Sequence, residues 1–209
     1  MSEFKLDQIF ATPLMSFDYG KINDDENKFI SKCLESTTEN IFNFTSTETY
    51  VLDKGLSEIR YFIEESIRTY VETVVIGGKY DEYDFDFRIT QSWLNKTLRN
   101  SDGHHIHNHP NSFLSGVYYI SCDDDTISFQ DFTYKQIDPI VEKQTRYNSA
   151  RWDQPTKTHD LFLFSSALKH SVNLKQNNAT RISLAFNVFL KGEIGNARNL
   201  TYLKVLTNK

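Results

Sequence analysis

The chain has 209 residues, 39% hydrophobic and 24% charged, with a formal net charge of −5 and a pI near 5.7. That length and balance lead one to expect one globular domain rather than a two-domain enzyme, and they exclude global disorder. The acidic sum disfavours a nucleic-acid partner, no stretch approaches the ~18 apolar residues of a spanning helix, and two distant cysteines, Cys33 and Cys122, encode neither a disulfide framework nor a thiolate metal site.

Met1 to Phe17 carries Glu3, Lys5 and Asp7 without an uninterrupted apolar run, so it reads as neither signal peptide nor anchor, and a cytoplasmic location is expected. Within it, Ile9 to Phe17 reads as an edge strand. Asn23, Asp24 and Asp25 supply a helix start, and Phe29, Ile30, Cys33 and Leu34 then form one apolar stripe. After Asp53, apolar residues from Leu56 through Val74 recur at three- and four-residue steps, which predicts a second helix ended by Gly77 and Gly78.

Beyond Gly78 the period changes to two. Phe85, Phe87, Ile89, Gln91 and Trp93 alternate with polar residues, and short strands are expected over Phe113 to Ser121, Thr126 to Phe132, Asp160 to Ser166 and Arg181 to Leu190. Polar clusters at Asn100 to Gly103, Cys122 to Asp125 and Lys175 to Thr180 read as turns. Helices first and many short antiparallel strands afterwards predict a mainly β fold, a sandwich or jelly roll backed by helices on one face. The aromatic excess of 16 Phe, 11 Tyr and 2 Trp agrees with sheet.

Four of the six histidines, His104, His105, His107 and His109, fall within six positions. Two residues apart on extended chain, His105 with His107 or His107 with His109 point to one side and can share an ion. His170, after the apolar run Leu161 to Phe164, is the natural third ligand from another strand, and three neutral imidazoles suit Fe(II), Zn(II) or Cu(II). His104 and His159 read instead as surface or hydrogen-bonded residues. Alternation places Arg181, Ser183, Ala185 and Asn187 on one face of a strand. An inward arginine needs a partner, either an internal carboxylate or a bound dicarboxylate gripped in bidentate fashion with help from the Ser183 hydroxyl.

The sequence resembles the Fe(II)/2-oxoglutarate-dependent oxygenases, in particular a prolyl-hydroxylase-like subgroup common in bacteria and bacteriophages. Five landmarks carry the likeness: Ile9-Phe-Ala-Thr-Pro13, Ser92-Trp-Leu-Asn95, His107-Asn-His-Pro-Asn-Ser-Phe-Leu-Ser-Gly-Val-Tyr-Tyr119, Leu161-Phe-Leu-Phe-Ser165 leading to His170, and Arg181-Ile-Ser-Leu-Ala-Phe-Asn187.

The resemblance implies a double-stranded β-helix holding iron at its mouth, with residues 1–78 as helical support, 79–191 as the jelly-roll core and 192–209 as a C-terminal tail. Fe(II) would be held by His107, His109 and His170, with His105 and His107 as the alternative register. Arg181 and Ser183 would bind the far carboxylate of 2-oxoglutarate, Tyr119 would add a donor, and Ser115, Val117, Trp93 and Asn95 would line the pocket. The implied activity is hydroxylation of a C–H bond using O2 and 2-oxoglutarate, on an unassigned protein residue or small molecule.

One departure stands out: the family's usual His-x-Asp or His-x-Glu is His-x-His here. It motivates two alternatives, a non-catalytic metal-binding jelly-roll module and a cupin-like three-histidine metalloenzyme that does not use 2-oxoglutarate. The segment Asp138 to Thr158, with Tyr147, Arg151 and Trp152, reads as a long loop governing substrate choice.

Overall fold

The computed structural model describes residues 5, 9–40, 43–98, 103–123, 125–131, 140–173 and 179–205. The first strand, β1 (Leu14–Asp18), is followed by helix α1 (Asp24–Glu35), whose first turn is capped by the Asn23 side chain accepting from the Glu26 N–H. A hairpin, β2 (Thr37–Glu39) and β3 (Phe44–Ser46), leads to α2 (Ser57–Tyr70). Leu56 offers α2 no side-chain cap. Buried Glu26 of α1 supplies one instead, its Oε1 accepting from the Glu58 and Ile59 N–H groups, so that a carboxylate meets the positive end of the helix and ties the two helices together. α2 continues as π-helical turns over Val71–Ile76 and stops at Gly77, whose φ of 61° is left-handed.

The remaining strands are β4 (Phe85–Thr97), β5 (His104–His107), β6 (Leu114–Ser121), β7 (Asp125–Gln130), β8 (Arg151–Thr156), β9 (Asp160–Ser165), β10 (Lys169–Val172), β11 (Arg181–Ile194) and β12 (Leu203–Val205). Among the described residues they form two antiparallel sheets. The major one runs β1-β9-β6-β11-β4-β3-β2 with β12 beside β11, and the minor one runs β5-β10-β7-β8. Together they make the jelly roll that the sequence predicts.

Strand register divides the major sheet into two chemically different faces. Tyr118, Leu161, Leu184, Phe186 and Leu94 share the outer face and pack with Leu56, Ile59 and Ile63 of the helical layer in the main core. Each such fully buried side chain contributes roughly 1.5–3 kcal/mol. Gly116 stands opposite Phe186, and a Cβ there would lie 2.1 Å from the ring, so the close packing requires glycine. On the inner face, Tyr119, Val117 and Phe162 are aligned with Ser183 and Ala185 and look toward the minor sheet.

Several expectations are corrected. Phe85, Phe87, Ile89, Gln91 and Trp93 do not share one face: the register between β4 and β11 shifts between Asn187 and Val188, a bulge beside Thr90. Phe85, Phe87 and Ile89 therefore pack toward the helices, whereas Trp93 faces the inner cavity. Residues 1–78 are not only helical support, because β1, β2 and β3 extend the major sheet, and the tail adds β12. The N-terminal strand begins at Leu14, not Ile9. The expected loop from Asp138 contains β8, paired along its length with β7, and Asp138 itself lies outside the described residues. Phe132 and most of the Asn100 to Gly103 and Lys175 to Thr180 clusters also lie outside them. Among the described residues, no helix is long and apolar enough to cross a membrane.

Candidate active site

The histidines converge because two neighbouring strands carry them. His107 ends β5 directly opposite His170 on β10. After His107 the chain leaves the sheet and turns through Pro110 and Asn111, which adopts a φ of 57°. The backbone N–H of His109 bonds Ser166 O at 3.0 Å, holding the third imidazole beside the other two. One ring nitrogen from each of His107, His109 and His170 falls within 4.8 Å of the others.

Each Nδ1 has an oxygen partner. His107 Nδ1 lies 2.8 Å from His105 O, His109 Nδ1 2.5 Å from Asn187 Oδ1, and His170 Nδ1 3.1 Å from Leu168 O. A carbonyl oxygen can only accept, so each Nδ1 carries the proton and each Nε2 keeps a lone pair. Outer partners of this kind orient metal-ligating imidazoles and fix their tautomer. Burial keeps the rings neutral: desolvation pushes His170 down to about 3 and also lowers His107 and His109. Three neutral nitrogen donors around one point fit a divalent transition ion such as Fe(II).

The pocket beside this cluster is a cavity of about 60 Å³, room for about four waters. Its opposite end is built from Arg181 at the start of β11. The guanidinium is buried, and Nη1 lies 3.3 Å from Asp125 Oδ1 while Nη2 donates to Thr97 Oγ1 at 3.1 Å. Both charged side chains are almost inaccessible, 5% and 6% exposed, so their attraction is poorly screened. The sequence left open whether Arg181 meets an internal carboxylate or a bound one, and Asp125 is the internal one. Two of its five N–H donors are used by these contacts, so a bound carboxylate can still be gripped.

Trp93, Asn95, Val117, Tyr119, Ser183 and Arg181 all line this cavity with His107 and His109. Burial raises the Tyr119 hydroxyl well above its ordinary value, so it is a neutral donor. Ser115 shares their face but stands behind the cavity, its hydroxyl 2.7 Å from Ser166 Oγ and 3.4 Å from Asn187 Oδ1. It therefore touches the support of His109. His105 is exposed, and its backbone oxygen, not its ring, serves His107, which favours the His107/His109 register.

His159 is hydrogen-bonded as expected, its Nδ1 2.9 Å from the Tyr118 hydroxyl. His104, expected to be a surface or hydrogen-bonded residue, instead lines the cavity, its ring 4.8 Å from that of His107, and burial lowers it to about 4. Its position opposite Val172 on β10 explains this, since both sit toward the Arg181 end.

Sequence reasoning also missed Asn43, Thr97, Val172, Asp125 and the support role of Asn187. Thr97 lies on the same strand face as Trp93 and Asn95, two residues beyond the latter, so alternation was the available signal. For Asn43 there was none, because β3 joins β4 from about fifty residues upstream.

No curated protein matches the sequence. Among solved structures, HygX from Streptomyces hygroscopicus, determined with nickel, 2-oxoglutarate and hygromycin B, aligns with a TM-score of 0.56 at 13% identity over 85% of this chain and 82% of its own. The non-heme alpha ketoglutarate dependent carbocyclase SnoK from nogalamycin biosynthesis gives 0.59 at 11% identity, covering 95% and 90%, and the related epimerase SnoN gives 0.58 at 8%, covering 87% and 81%. At such identities the likeness shows a common fold. Residues 91–187 match the family model of the 2OG-Fe(II) oxygenases, and that segment contains the three clustered histidines, their oxygen partners and Arg181. The matched segment, a little under half of the chain, is similar to the 2OG-Fe(II) oxygenases.

Proposed function

We propose that the protein is an Fe(II)- and 2-oxoglutarate-dependent dioxygenase that hydroxylates a C–H bond of a prime substrate held at the mouth of the pocket. The observation that carries this reading is the set of three imidazoles whose Nδ1 protons are all committed to protein oxygens, leaving three Nε2 atoms for one ion at one end of a cavity with Arg181 at the other. His107, His109 and His170 would hold Fe(II). When bound, the metal supplies O2 activation coupled to the conversion of 2-oxoglutarate into succinate and CO2.

The protein's own residues bind, orient and exclude. Arg181 and the Ser183 hydroxyl take the far carboxylate, the neutral Tyr119 hydroxyl donates beside them, and Val117 and Ala185 supply apolar wall. Trp93, its ring 6.1 Å from that of His109, shields the metal end from water. Asp125 and Thr97 take only two of the five N–H donors of Arg181, and the proposed function gives the remaining donors at the far end of the cavity a ligand, which neither alternative reading does.

The test is anaerobic titration of the purified protein with Fe(II) and 2-oxoglutarate, followed by exposure to O2. A weak visible charge-transfer band and succinate formation are expected. A properly metallated protein that shows neither is not a 2-oxoglutarate oxygenase.

A further inference from the structure

One imidazole at the pocket is left without a task. His104, which opens β5, lines the cavity with Arg181, Thr97 and Val172, yet among the described residues its ring makes no hydrogen bond to the protein. It also stands outside the metal cluster, whose nitrogens come from His107, His109 and His170. Among the described residues, the side-chain atoms that are both enclosed and unpaired are Glu26 Oε2 and Asn43 Oδ1, so the ring nitrogens of His104 are open rather than sealed in protein. A polar ring held without a partner in a largely dry cavity costs free energy, and a ligand that bonds it there removes that cost.

The backbone is shaped to aim this ring inward. His104 and His107 are three residues apart, a spacing that regular extended chain sends to opposite faces. Their partners on β10, Val172 and His170, are only two apart, so β5 carries one extra residue between the histidines. This bulge turns His105 and Ile106 out to solvent and returns both His104 and His107 to the inside. Gly103 fixes the start of the strand: a Cβ there would lie 1.8 Å from Val172 O, so the chain is pressed against β10 just before His104.

The course of the chain places His104 on the Arg181 side of His107. β4 ends at Thr97, whose hydroxyl accepts from Arg181 Nη2, and β5 begins at His104. Val172, opposite His104, lines the same cavity, and the metal cluster begins only at His107. 2-Oxoglutarate presents acceptors alone at neutral pH, whereas an imidazole carries an N–H whether it is neutral or protonated. The acceptor that reaches the Arg181 end is the far carboxylate.

We propose that His104 is a further cosubstrate-binding residue, its ring N–H donating to the far carboxylate of 2-oxoglutarate in a charge-assisted hydrogen bond. The clamp is then two-sided. Arg181 and Ser183 reach in from the major sheet and His104 from the minor one, so the bound cosubstrate ties the two sheets together. This deepens the function proposed above and rests on it.

The experiment uses the whole protein loaded with Co(II) and two ligands, 2-oxoglutarate and 2-oxopentanoate, which has a methyl group in place of the far carboxylate. Dissociation constants are read from the visible band of the bound Co(II). His104→Ala should weaken 2-oxoglutarate roughly tenfold or more, the loss of a hydrogen bond to a charged group, and leave the Kd of 2-oxopentanoate and of Co(II) within about twofold. His104→Asn and His104→Gln carry an amide N–H near the Nδ1 and Nε2 positions respectively, and one of them should recover most of the lost affinity.

An unchanged 2-oxoglutarate Kd in His104→Ala overturns the contact. So does an equal loss for both ligands, which would place His104 against the metal end of the cosubstrate, or a weakened Co(II) affinity, which would make it a metal ligand. Failure of both amide variants to recover binding would make it a packing residue and overturns the proposal as well. A parent protein that binds Co(II) but not 2-oxoglutarate is a separate result and sinks the proposed function, and this contact with it.

Discussion

The two ends of the pocket solve the problem of burying polar groups in opposite ways. At the histidine end every Nδ1 is satisfied by a protein oxygen while, among the described residues, no Nε2 has a partner, so on the proposed function that end is completed by an ion. At the Arg181 end the charge is already compensated by Asp125 and Thr97 before any ligand enters. A neutral imidazole can wait in a half-dry cavity at modest cost, whereas an unpaired guanidinium cannot. The difference predicts that removing protein groups at the first end costs ligand affinity, and at the second costs fold stability.

That contrast can be broken in a graded series. His170→Ala should abolish Fe(II) binding and turnover, read by metal titration, because His107 and His109 alone leave an incomplete set; the fold should survive. Asp125→Asn should do the reverse, lowering stability by roughly 3–5 kcal/mol because it strands a buried arginine, with 2-oxoglutarate restoring part of the lost Tm by replacing the missing carboxylate. A variant as stable as the parent would show that the pair is not what compensates Arg181.

Asn187→Ala removes only the outer partner of His109 and should weaken metal binding by about 10–100-fold. The pH dependence of metal-free stability is smaller. Burial holds folded His170 down to about 3, whereas an unfolded histidine titrates near about 6.5. Below that value the unfolded chain takes up the proton first, so stability is full above about pH 6.5 and falls on acidification by up to about 1.4 kcal/mol per pH unit for each such group. A flat profile in chemical denaturation between pH 7 and pH 5 would contradict neutral burial. Smallest of all, Trp152→Ala on exposed β8 should change stability by less than about 0.5 kcal/mol and leave the 2-oxoglutarate Kd unchanged while impairing substrate turnover.

The legible parts of the molecule are those whose chemistry is local. Asn23 and the acidic turn after it mark α1, the three-and-four spacing from Leu56 marks α2, and strict alternation in Arg181 to Asn187 assigns each side chain of β11 to its proper face. His107 and His109 are legible because two residues on extended chain share a side. What escaped was set by distance in sequence. The bulge beside Thr90 reverses the phase of β4 without any glycine or proline to announce it, and Asp125 finds Arg181 across two different sheets. His104 was misjudged for a related reason: its burial depends on pairing with Val172, which no residue near His104 encodes.

The most direct test of the central claim is a structure of the protein prepared anaerobically with Fe(II) and 2-oxoglutarate. Iron on the Nε2 atoms of His107, His109 and His170, with the far carboxylate of 2-oxoglutarate against Arg181 and Ser183 while Asp125 remains in place, is the predicted result. Iron on His104 or His105, or 2-oxoglutarate bound away from Arg181, would contradict it.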